Sequence, residues 1–97
     1  MDPTHQALSR ACGALWLATL SLMTAFMQTQ APAHRLLLAR RIAGNLGTLQ
    51  GQECFSERSR ASFARLAGHW SDKAARLAAQ QRRPQETLGI VAGSLRG

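Results

Sequence analysis

The chain has no tyrosine, one valine and two isoleucines among its 97 residues. Residues that favour extended strands are therefore nearly missing, and the composition excludes a β-sheet core. Only five aromatic side chains are present, so any core must be built mainly from leucine and alanine. These two, with arginine and glutamine, are good helix formers. The fold class is all-α.

Acidic groups are also scarce, five in all. That leaves little scope for the paired carboxylates of general acid and base catalysis. The three histidines, His5, His34 and His69, stand far apart, and no pair has the i, i+4 spacing of a helical metal site. No nucleophile elbow and no Cys–His signature occurs. Two cysteines, Cys12 and Cys54, are too few for a disulfide framework and lack metal-ligand spacing. The expectation is a non-enzymatic protein without a cofactor. The residues carry no resemblance to a known family.

A third absence is local. Between Arg10 and Arg35 there is no charged side chain, and Ala11 to Met27 reads ACGALWLATLSLMTAFM. Read as a secretory signal, the segment has small residues at Ala31-Pro32-Ala33, where cleavage would fall. Its flanks have the wrong charge, since Asp2 offsets Arg10 while Arg35, Arg40 and Arg41 follow it. Read as a transmembrane span, seventeen residues reach roughly 26 Å, just short of a ~30 Å hydrocarbon core. The basic residues on its C-terminal side would then hold the C-terminal portion in the cytoplasm. Read as a long helix of a soluble protein, it also explains the polar lead-in Thr4, His5, Gln6, Ser9 and Arg10. Asp2-Pro3 suits the start of such a helix. The last reading is preferred, with a cytoplasmic location and a membrane-associated one as the alternative.

What is present reads as three helices. The first is expected from about Pro3 to Gln30, with Leu8, Leu15, Trp16, Leu22, Met23 and Phe26 recurring at three- and four-residue steps. Leu17, Leu20 and Met27 spread around its cylinder, so it needs cover on more than one side. The second helix is expected from Pro32 to Leu49, with Gly51 as its stop. Leu38, Ile42, Leu46 and Leu49 form its stripe, widened by Ala39 and Ala43. Ala39, Ala43 and Gly47, with Gly44, make a small edge suited to close helix packing. Ser56 caps the third helix, where Phe63, Leu66, Trp70, Ala74 and Leu77 give the cleanest amphipathic stretch. Pro84 is expected to end it. The chain then divides into one helical domain, residues 1–83, and a mobile tail, residues 84–97.

The resulting architecture is an antiparallel hairpin of the first two helices, with the third packed across it and a flexible C-terminal tail. Trp16 and Trp70 are expected as core anchors. Cys12 and Cys54 should meet at one end of the hairpin, as separate reduced thiols in a cytoplasm or as one bridge in an oxidising compartment. Reduced thiols are the expected state.

Net charge is +7, all of it from residue 34 onward, and eleven of the twelve basic residues are arginine. Arg58, Arg65, His69 and Arg76 line one side of the third helix, and Arg40 and Arg41 lie off the apolar stripe of the second. These six form a candidate face for an anionic partner, nucleic acid included. No aromatic is interleaved with them to stack on bases, which leaves a solvated face as the simpler reading. The favoured function is a helical protein–protein interaction module. It would form a homo-oligomer, or bind a helical partner, through Leu17, Leu20 and Met27 of the uncovered first helix. The two alternatives are a nucleic-acid binder and a small single-span membrane protein.

Overall fold

The computed structural model describes the backbone of residues 3–96 and the side chains of residues 3–82. It is an all-α bundle of three helices, α1 (Pro3–Gln28), α2 (Pro32–Gln50) and α3 (Glu57–Arg96). Among the described residues there is no strand. The expected cap at Asp2 lies outside the described residues.

The breaks arise from local chemistry. Pro32 occupies the first turn of α2, with Ala31 extended before it. Arg35 fastens this turn by donating a hydrogen bond to the Thr29 carbonyl at 3.0 Å. Gly51 follows the last turn of α2 in right-handed geometry, so no left-handed cap is required. The hydroxyl of Ser56 accepts a hydrogen bond from the Ser59 backbone N–H at 3.2 Å, the N-cap expected for α3. Glu57 lies in that first turn, where the helix dipole favours an acid. The Arg60 side chain then reaches back to the Gln50 carbonyl at 2.9 Å and ties the start of α3 to the end of α2.

The core belongs to α2. Ala39, Ile42, Leu46 and Leu49 are fully buried, joined by Leu36 and Leu38 on the same helix. From α1 the buried residues are Cys12, Thr19 and Phe26. From α3, Phe63 and Ala74 complete the set. The helix with the greatest apolar content is thus at the side of the bundle, and the modest central helix is covered by two neighbours. Both α1 and α3 pack on α2. Between themselves they meet through rings, Trp16 on Phe63 at 5.2 Å and Phe26 on Trp70 at 5.0 Å, both edge to face. These pairs set α1 and α3 running in the same direction, each antiparallel to α2. The third helix therefore lies alongside the hairpin, where a crossing arrangement was expected. Trp16 and Trp70 are half-buried and packed against the core, as their stripes implied.

One expectation needs correction. Pro84 does not end α3, whose backbone is helical to Arg96. Proline removes one N–H and crowds the carbonyl four residues earlier, at a cost of about 3 kcal/mol. Strong helix formers surround it here, Gln81, Arg82 and Arg83 before, Gln85 and Glu86 after. The side chains of the expected tail lie outside the described residues. The small edge of α2 is used in part. Ala39 is fully buried and Ala43 lines a cleft against α3, while a β-carbon at Gly44 or Gly47 would meet nothing within 4 Å.

Two substitutions test this layout by urea denaturation. Ile42→Ala should cost about 2–5 kcal/mol, because it empties a fully buried site. Gly47→Ala should stabilise by up to about 1 kcal/mol, because it adds helix propensity in open space. A destabilised Gly47→Ala variant would place a neighbour against that turn.

Candidate interaction surface and disulfide

The exposed side of α1 is continuous and uncharged. Gly13, Ala14, Leu17, Leu20, Ser21, Thr24 and Met27 are all exposed along it. Leu17 is 66% exposed, Leu20 40% and Met27 81%. All three residues read from the sequence as a self-association surface therefore stand open on one helix. The polar groups among them are turned inward. Ser21 donates to the Leu17 carbonyl and Thr24 to the Leu20 carbonyl, each at 3.1 Å. Their hydrogens are satisfied within the helix, so the face offers aliphatic and methyl surface without demanding water. On the inner side Thr19 is fully buried and donates to the Leu15 carbonyl at 2.7 Å, which makes a hydroxyl tolerable there.

At its C-terminal end α1 is held by an aromatic–cation cluster. The Arg35 guanidinium lies 4.1 Å from the centre of the Phe26 ring, and the Lys73 ammonium lies 5.6 Å from the same ring. Each such contact is worth about 0.5–2 kcal/mol, depending on how dry it is. Towards the other end the tie is covalent. Cys12 of α1 is joined to Cys54 of the α2–α3 connector in a disulfide, with α-carbons 7.2 Å apart. The two cysteines do meet at one end of the hairpin, as expected from the sequence. They are bonded, however, and no free thiol remains. Beside the bridge, Phe55 of the connector stacks edge to face on Phe63 of α3 at 4.9 Å. The first nine residues of α1, 3–11, are exposed, so the bridge lies at the edge of the packed region.

The candidate anionic-partner residues are divided between two helices. Arg58, Arg65, His69 and Arg76 lie along the side of α3 away from its apolar stripe. Arg65 bends to the Ser62 hydroxyl at 3.0 Å. Arg40 and Arg41 are exposed on α2. Arg40 opens into a cleft between α2 and α3, with Ser71, Ala74, Ala75 and Ala78. At about 100° per residue, those α3 positions are more than a quarter turn from the Arg58–Arg76 line. Sequence reasoning missed this cleft, because its lining is small residues split between two helices. Among the described residues no group of three or more His, Cys, Asp or Glu could hold a metal ion.

Comparison with known proteins finds no matching family model, no matching curated protein and no matching solved structure.

The bridge joins residues 42 apart in sequence. Loop-closure entropy assigns such a link about 4 kcal/mol. The Cys12→Ser, Cys54→Ser double variant should therefore lose much of the stability of so small a domain, read as a lower urea midpoint. The oxidised wild type should show no alkylatable thiol by intact mass. Two alkylated thiols in freshly isolated native protein would contradict the bridge.

Proposed function

We propose that the protein is a non-enzymatic helical interaction module that self-associates by pairing the open face of α1 with its copy. The observation that carries this reading is the exposure of Leu17, Leu20 and Met27 on a helix with no charged residue from Ala11 to its end at Gln28. An apolar stripe of this length on a small soluble protein marks a contact surface more often than idle exposure. Charge placement supports the same reading. Each copy is strongly basic, yet its excess charge lies on α2 and α3. Two copies meeting along the uncharged stretch from Ala11 to Gln28 thus bring no cations of that stretch into opposition. Gly13 leaves open space beside the face, which lets a second helix approach.

A second reading has its own observation. α1 is long and apolar enough to cross a membrane, and only 17% of its most apolar window is buried in the bundle. A bilayer would cover the same side chains as a second copy. For the compartment we favour an oxidising one, because a bridge between Cys12 and Cys54 persists there and is rare in a reducing cytoplasm. The nucleic-acid reading draws less support, since Arg40 is separated from the α3 line.

Sedimentation equilibrium separates the first two. The wild type should run larger than a monomer. The Leu17→Asp, Met27→Asp variant should run as a monomer with unchanged helical circular dichroism, because both side chains are exposed. A wild type that stays monomeric across the micromolar range overturns self-association. Flotation of that monomer with liposomes would then favour the membrane.

A further inference from the structure

The cleft between α2 and α3 is independent of the α1 face, and none of its lining residues belongs to α1. It consists of two openings that share Arg40 and Ala78 and so form one trough. The first, of about 450 Å³, is lined by Arg40, Ala43, Gly44, Ser71, Ala74, Ala75 and Ala78. The second, of about 220 Å³, adds Leu36, Gln81 and Arg82. Together they fall in the size range of small-molecule sites.

The polar groups at this trough share one character. Arg40 and Arg82 are cations, Gln81 and Ser71 carry neutral donors, and among the described residues no carboxylate lines it. None of these four side chains has a hydrogen-bond or ion-pair partner among the described residues. Guanidinium groups match carboxylate and phosphate oxygens through paired N–H donors. The remaining side chains of the wall are alanine, glycine and leucine, which offer dispersion contact. A purely ionic ligand would leave that wall unused, and a purely apolar one would leave two guanidiniums without a counter-charge.

We propose that the trough binds an amphiphilic oxyanion, its carboxylate or phosphate headgroup between Arg40 and Arg82 and a short alkyl chain along Ala43, Ala74, Ala75 and Ala78. The Gly44 turn supports this assignment. A β-carbon at Gly44 would meet nothing within 4 Å, so the trough is open on that side and the chain has room. The site is a property of α2 and α3, so it stands or falls separately from α1 pairing.

The test is amide chemical-shift titration of the intact oxidised protein, below the micelle concentration, with four probes: decanoate, decyl phosphate, decanol and inorganic phosphate. Both anionic amphiphiles should shift the amides of Gly44, Ala75 and Ala78, and their relative affinities distinguish the two headgroups. Decanol and inorganic phosphate should each bind at least about tenfold more weakly, since each lacks half of the recognition. The Arg40→Gln, Arg82→Gln variant should lose about tenfold or more for the two anions while its binding of decanol stays as in the wild type. Three results would overturn the proposal. Shifts confined to Leu17, Leu20 and Thr24 would mean that the probes merely coat α1. Equal affinity for decanol and decanoate would remove the headgroup. Equal affinity for inorganic and decyl phosphate would remove the chain.

Discussion

The stripe formed by Ala39, Ile42, Leu46 and Leu49 is the constraint on which the other parts depend. One helix of 19 residues supplies every fully buried apolar side chain of the described core and must serve two partners at once. A helix has one circumference to share. Once α3 takes one flank of the stripe and α1 the other, α1 can bury only the side that faces α2. Burial of a leucine-sized side chain contributes about 1.5–3 kcal/mol, and α1 leaves several such side chains uncovered by the bundle. The open face is therefore a direct consequence of placing the less apolar helix at the centre.

Aromatic rings make that arrangement workable. The backbones of α1 and α3 do not approach each other closely, and Trp16, Phe26, Phe63 and Trp70 fill the space between them. Edge-to-face pairs of this kind add about 0.5–1.5 kcal/mol beyond the area they bury. In a chain with five aromatic residues, four are used for this one seam. The fifth, Phe55, extends it to the connector, next to the bridged Cys54. Packing and the covalent link are thus one device, since the ring contact at Phe55 fixes the backbone beside the bridge. For a domain of this size a disulfide is an ordinary supplement to a limited core.

The sequence was informative where a feature depends on near neighbours. The Ser56 cap, the Pro32 start of α2 and the Phe63–Trp70–Ala74 stripe are all local patterns, and the structure contains them. It was uninformative where the outcome is a competition between helices. Apolar content showed that α1 needs cover on more than one side, but which helix is central depends on which offers a stripe both neighbours can fit. Ala39, Ala43 and Gly47 read as a packing edge, yet only Ala39 is fully buried, and an added β-carbon at Gly44 or Gly47 would meet open space. Pro84 was read as a stop because the local rule carries about 3 kcal/mol, which does not exclude a helix among strong formers. The exposure of Leu17, Leu20 and Met27 was legible because their helical angles leave the main stripe. The trough at Arg40 and Arg82 was not, since it exists only when two distant segments are side by side.

The ties on α1 also bear on how its open face could act. Near its C-terminal end Phe26 is held under the Arg35 guanidinium, and Arg35 is itself bonded to the Thr29 carbonyl. Towards its N-terminal end Cys12 is fixed covalently, and Trp16 lies on Phe63 just beyond. The stretch that carries Leu17, Leu20, Ser21 and Thr24 is thus clamped on both sides, with its hydroxyls already satisfied. A partner meeting this face finds a helix that needs no ordering, and ordering of flexible elements is a main cost of association. The proposed pairing would therefore draw on apolar contact with little entropic opposition from α1. Cutting the bridge would act on both quantities together, lowering the stability of the fold and loosening the surface that the fold holds out.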